Sequence, residues 1–94
     1  MNREEAVRLL VLELEGLRNE SYRDLVRRIE AGSVNYVRQG SGGVRYQVEV
    51  EVGWDPQSDG NVPVMGSIDD AGWRAFAPIT RSFIKSAEGA FVGE

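Results

Sequence analysis

The chain has 94 residues, 41% hydrophobic and 28% charged, with a formal net charge of −4 and neither cysteine nor histidine. Such a length holds one domain, spanning 1–94, and such proportions belong to a globular chain rather than a disordered or fibrous one. The missing residue types exclude disulfides, thiolate nucleophiles, Cys/His zinc sites, Ser-His-Asp triads and imidazole acid–base chemistry.

The first predicted element is a helix starting at Asn2, which with Glu5 has the form of a capping box. Val7, Leu10, Val11, Leu14 and Leu17 recur at helical spacing, and Leu9 and Leu12 widen the stripe, which predicts a helix packed on more than one side. Ser21 caps a second helix whose stripe is Tyr22, Leu25, Val26 and Ile29 and which stops at Gly32. Arg23, Arg27 and Arg28 fall on its solvent side.

Beyond Gly32 the period changes to two. Ser33 to Gln39 reads as a strand with Val34, Tyr36 and Arg38 on one side and Asn35 and Val37 on the other. After a flexible Gly40-Ser41-Gly42-Gly43 connector, Val44, Tyr46, Val48, Val50 and Val52 alternate with Arg45, Gln47, Glu49 and Glu51, the clearest strand of the chain. Asp55 to Asn61 is a surface loop dense in turn formers. Val62, Val64, Gly66 and Ile68 form a third strand, and Pro63 argues that it lies at a sheet edge or that this position faces out. Asp69-Asp70-Ala71-Gly72 predicts a turn into a fourth strand, Trp73 to Ala77, ended by Pro78. The pairs Phe83-Ile84 and Phe91-Val92 predict a docked tail with room for one more short strand. This order predicts an α+β domain of two layers, N-terminal helices packed on one face of a four-stranded antiparallel sheet, with Leu10, Leu14, Val48, Val50 and Trp73 in one core.

Residues 1–47 hold eight arginines against seven carboxylates, whereas residues 48–94 hold three bases against eight carboxylates. Ten of the eleven bases are arginine, a skew that reads as composition bias. An acidic second half without a basic stripe argues against nucleic acid as a partner. The charged start, Met1 to Glu5, and the short apolar run Leu9 to Leu12 argue against a signal segment or a membrane span, so a cytosolic location is expected.

Few constellations carry chemistry. The glycine-rich connector lacks the Gly-Lys-Ser/Thr ending of a phosphate loop. Asp55, Gln57, Asp59 and Gly60 have calcium-loop spacing, but Gly66 stands where a bidentate glutamate is needed. Asp69 and Asp70 could share a proton or hold magnesium if buried, yet Asp-Asp-Ala-Gly is first of all a turn. Ser82-Phe83-Ile84-Lys85 matches the Ser-x-x-Lys of penicillin-recognising enzymes without their two further motifs. No metal site and no cofactor is expected. Glu49 and Glu51 share a polar strand face with Arg45, and Trp54 and Trp73 each flank a turn, where core packing is the plainer role and a pocket lining or an interface anchor the alternative.

Gly66-Ser67-Ile68-Asp69-Asp70, Ser82-Phe83-Ile84 and the ending Glu88-Gly89-Ala90-Phe91-Val92-Gly93-Glu94 resemble a class of short bacterial proteins of unknown function. The resemblance is confined to the C-terminal third. It implies a stand-alone bacterial protein with Gly93-Glu94 as its natural end and carries over no catalytic residue. The expected function is a non-catalytic interaction or regulatory module. Its acidic face, Glu49 and Glu51, and the turns with Trp54, Asp69, Asp70, Trp73 and Arg74 would meet a protein partner, and self-association through a strand edge is open to such a fold. The alternative is a small-ligand-binding or weakly enzymatic domain similar to the cystatin-like or nuclear-transport-factor-like kind, with a helix–sheet pocket whose polar groups are Tyr36, Tyr46, Asp69, Asp70 and Arg74.

Overall fold

Two helices, α1 (Arg3–Arg18) and α2 (Tyr22–Ala31), precede four strands, β1 (Val34–Gln39), β2 (Arg45–Val52), β3 (Val62–Asp69) and β4 (Ile79–Lys85), in the computed structural model, which describes residues 2–70 and 78–94. The strands form one antiparallel sheet in the order β1-β2-β3-β4, and both helices pack on the same face of it. The fold is the expected two-layer α+β arrangement.

Local chemistry explains the helix ends. Asn2 Oδ1 accepts the Glu5 amide at 3.0 Å and Ser21 Oγ accepts the Asp24 amide at 3.1 Å, each satisfying one orphan donor of a first turn. The capping box at Asn2 is only half formed, because the Glu5 side chain turns away to the start of β2. α1 buries Ala6, Leu10, Leu14 and Leu17 but leaves Val11 39% and Leu12 58% exposed. The helix is therefore packed on one side, not on several.

Alternation sorts the sheet. Tyr46, Val48 and Val50 of β2, Val62, Val64 and Ile68 of β3, and Ile79 and Phe83 of β4 all lie in the core against α1 and Leu25 of α2. Gly66 sits among them in β3, where a Cβ would stand 3.0 Å from Leu10 Cδ1 and 3.2 Å from Leu14 Cδ2. The missing side chain lets α1 approach the centre of the sheet.

Two expectations change, and a third lies outside the described residues. The strand beside β3 is Ile79–Lys85, so Pro78 precedes the fourth strand instead of ending it. A mixed polar pattern hid it: Thr80, Arg81 and Ser82 interrupt the apolar residues. The expected Trp73 to Ala77 strand, and with it Trp73 in the core and Arg74, lies outside the described residues. Pro63 is in a central strand, so the edge placement is wrong and the outward-facing one holds. It stands at the second residue of β3, where β2 has just ended and only the Gly53 amide reaches the Pro63 carbonyl, at 3.1 Å. Among the described residues no helix is long and apolar enough to cross a membrane.

The tail is docked, as expected. Val92 N–H donates to the Ile84 carbonyl at 2.9 Å, Phe91 packs edge-on against Phe83 with centroids 5.8 Å apart, and Lys85 bridges to Phe91. Replacing Val50, which is 3% exposed, with aspartate sets an unpaired carboxylate against the helices. The loss should be about 4 kcal/mol or more, a large share of a small domain's stability, and denaturant unfolding should show the variant largely unfolded.

Candidate functional site

The sequence-predicted residues divide between surfaces. Glu49 and Glu51 face away from the helices on β2, in rows that the register continues through Asn35, Ser67 and Thr80 and through Met65 and Ser82. No second layer covers this outer face among the described residues, and neither glutamate has an ion pair there. Val37 is 40% and Met65 44% exposed within it. Glu51, Gly53, Pro63, Met65 and Ser82 line an open depression of about 380 Å³. Asp69 ends the outer row opposite Gln47, whereas the charge of Asp70 acts on the Tyr46 hydroxyl. The strand pleat thus parts the two aspartates rather than pairing them. Trp54 is 49% exposed at the start of the β2–β3 loop, so its expected place in the core is wrong. Beyond Gly53 the strand has ended, and no pleat directs the ring inward.

The other motifs resolve into structure. Ser82 and Lys85 lie three apart on a strand and so face opposite ways, which removes the Ser-x-x-Lys arrangement. Asp55 Oδ1 accepts the Gln57 amide at 2.9 Å and the Asp55 amide reaches the Asn61 carbonyl at 3.0 Å, so that loop is closed on itself. Ser41 to Gly43 is a short 3-10 turn, not a free connector, because Ser41 is tied to Glu5.

A groove of about 370 Å³ runs between α1, α2 and β1, lined by Glu13, Gly16, Glu20, Arg28, Tyr36 and Arg38 among others. Tyr36 donates to Glu13 Oε2 at 3.0 Å, and Arg38 donates to Glu13 Oε1 while its guanidinium lies 4.5 Å from the Tyr36 ring. Burial, and then the Glu13 carboxylate, push the Tyr36 hydroxyl up to about 12. Arg28 grips Glu20 through two bonds, at 2.8 and 2.7 Å. Sequence reading named Tyr36 but not Glu13, whose contact to a strand more than twenty residues away left no local signal.

The burial of two charged residues, Glu5 and Lys85, was also missed, whereas Tyr46 was among the expected polar groups. Glu5 is 7% exposed and Tyr46 fully buried; the tyrosine donates to Glu5 Oε1 at 2.8 Å and the Ser41 amide to Glu5 Oε2 at 3.0 Å. A Cβ at Gly40 would fall 2.4 Å from both Glu5 Oε1 and Tyr46 Cε2, so only glycine admits the pair. Ser41, through side chain and amide, and then Tyr46 hold the Glu5 carboxyl below its ordinary 4.5, while burial and Glu5 raise Tyr46. At neutral pH the carboxylate is ionised and the phenol keeps its proton, which makes the pair a tether and not a proton shuttle. Lys85, 8% exposed, donates to the carbonyls of Arg18 at 3.0 Å and Glu20 at 2.7 Å, closing the end of α1. Among the described residues no group of three or more carboxylates is placed to hold a metal ion.

No family model, no curated protein and no solved structure matches the chain, and the candidate surfaces stand on their own geometry.

Glu5 has its folded pKa depressed, so it contributes stability that is present above 4.5 and is lost as pH falls through the folded value. Glu5→Gln should lower stability near neutrality, and its deficit against wild type should shrink as pH falls below 4.5 in urea titrations run across pH. Tyr36 works in the opposite direction: its raised pKa adds stability below 10.0 that disappears as pH climbs to about 12. In an ultraviolet absorbance titration Glu13→Gln should bring the Tyr36 step down towards 10.0, and Tyr36→Phe should remove one tyrosine's share of the late rise, leaving that of Tyr46.

Proposed function

We propose that the protein is a non-catalytic interaction module, a small cytosolic bacterial protein of the kind its C-terminal third resembles. It presents the outer face of its sheet to a protein partner with a basic patch. The supporting observation is that face itself: Glu49 and Glu51 without ion pairs among the described residues, set beside exposed Val37 and Met65. Apolar contact area rimmed by like charge is the composition of a polar, steered interface. The buried carboxylate, the lysine and Tyr46 spend their polar atoms on internal bonds.

The groove beside Tyr36 ranks second as a small-ligand site. Its polar groups are bonded to one another, so a ligand would have to displace Glu13 from both Tyr36 and Arg38.

Glu49→Gln/Glu51→Gln keeps shape and removes two outer-face charges. With a partner captured from native cytosol, the double variant should associate several-fold more slowly at low salt and depend less on ionic strength, with its melting temperature nearly unchanged. Equal rates and equal salt slopes for both proteins would overturn the reading.

A further inference from the structure

The two edges of the sheet differ. β4 has the tail beside it, through the Val92 to Ile84 hydrogen bond and the Lys85–Phe91 bridge. β1 is the other edge, and among the described residues nothing lies against it. Which of its backbone groups are open follows from the ladder. Gly40 N–H donates to the Val44 carbonyl at 2.7 Å, one step beyond the Gln39–Arg45 pair. Bonded pairs alternate along an antiparallel ladder, so Val34, Tyr36 and Arg38 bond to β2 while Asn35, Val37 and Gln39 turn their N–H and C=O groups outward. All three are exposed, and the Val37 carbonyl has only a long bond, 3.5 Å, from Arg38 Nη1 of its own strand, which pairing would displace.

This edge carries no proline and no bulge, and Glu13 neutralises its only charge, Arg38. Those are the features that usually keep an edge from pairing. The outward groups of Asn35, Val37 and Gln39 are spaced symmetrically about Val37. We infer that β1 pairs with β1 of a second copy of this chain, antiparallel about a twofold axis at Val37, to join two sheets into one of eight strands.

The side chains select that occupant and that register. With Val37 opposite Val37, Asn35 meets Gln39 of the second copy on the outer face, valine on valine and amide on amide. On the inner face Tyr36 meets Arg38 of the second copy, repeating across the axis the arginine-over-tyrosine contact that each copy already makes at 4.5 Å. No like charges stand opposite one another. Moving the axis to Tyr36 would set Val34 against Arg38 and Asn35 against Val37, and moving it to Arg38 would set arginine against arginine and leave Asn35 beyond the partner strand. Because β1 has six residues, the interface is at the small end for stable complexes, and the dimer is concentration-dependent. The inference shares Val37 with the outer-face reading but not its charges, since the pairing uses the strand edge and leaves Glu49 and Glu51 exposed, so either reading can fail without the other.

Val37→Pro tests it. The Val37 amide points away from β2, so proline at this edge position costs the single chain no ladder bond but removes the central bonds of the dimer. Sedimentation equilibrium should show wild type rising from 10.4 kDa towards twice that mass with concentration. For Val37→Pro the dissociation constant should rise about tenfold or more, equivalent to some 1.4 kcal/mol, with unchanged melting in dilute solution. A second measurement does not depend on how proline is tolerated. The chain has no cysteine, so Val37→Cys and Asn35→Cys each introduce one thiol. Across the axis the Val37 Cα atoms lie about 5.5 Å apart, within disulfide reach, and the Asn35 pair on the order of 13 Å apart. Mild oxidation should cross-link Val37→Cys and leave Asn35→Cys largely monomeric. A wild-type mass fixed at 10.4 kDa up to millimolar concentration, a Val37→Pro dimer as tight as wild type, or equal cross-linking of the two thiols would each overturn the inference.

Discussion

One face of the sheet is buried beneath α1 and α2, and the other properties of the molecule follow from the fact that, among the described residues, only one is. A strand shielded on one side must alternate, and β2 and β3 do, sending Tyr46, Val48 and Val50 or Val62, Val64 and Ile68 inward. Helices approach a sheet closely only where the sheet side chain is small, and Gly66 supplies that place beneath Leu10 and Leu14. The apolar residues that this contact consumes leave few for a second layer. The outer face is therefore left to Arg45, Gln47, Glu49 and Glu51, with Val37 and Met65 as its apolar points.

A one-sided contact has a long perimeter, and the polar groups mark it. Glu5 joins the first turn of α1 to Ser41 and Tyr46, Glu13 joins its middle to β1, and Lys85 joins its last carbonyls to β4. Tyr22 ties α2 to the β2–β3 loop through the Gly60 carbonyl at 2.6 Å. Hydrophobic burial is non-directional, so it sets how much surface is covered but not the angle of the covering helix. Directional bonds at separated points fix that angle, and each also satisfies a backbone or side-chain group that burial would otherwise leave unpaired.

The parts of this fold that were legible from sequence are those whose cause is local. The alternation of Val44 to Val52, the stripe of α2, the caps at Asn2 and Ser21 and the turn chemistry of Asp55 to Asn61 each depend on neighbours a few residues away. β4 was not legible because an edge-side strand needs only part of its inner face buried, and Thr80-Arg81-Ser82 breaks the period that Ile79 and Phe83 begin. The exposure of Val11, Leu12 and Trp54 was hidden for the converse reason: composition records that a residue is apolar, not that there is too little sheet to cover it. Of the candidate surfaces, Glu49 and Glu51 could be placed by counting along one strand. Glu5, Glu13 and Lys85 could not, because their partners lie 23 to 67 residues distant.

The division of labour between the cations follows from their shapes. Arg18 lays its guanidinium 3.8 Å from the Phe91 ring centroid while bonding both Glu94 carboxylate oxygens at 2.8 and 2.6 Å, and Arg28 makes the same forked contact with Glu20. Arg38 combines a carboxylate bond with the face of Tyr36. A planar fork can stack and bond at once, which a single ammonium cannot. The end of α1 poses a different requirement, two carbonyls converging on one buried point, and there the compact donor of Lys85 fits. The arginine excess is thus more than composition bias at these three positions: each joins elements that would otherwise meet only at their edges. Arg23 and Arg27 differ, since they are exposed on α2 and contribute to its solvation rather than to any joint between elements. An exposed pair such as Arg27 with Asp24, at 3.3 Å, adds little to stability. The arginines that hold the fold are therefore the ones placed where a strand, a helix end and the tail come within reach of one another.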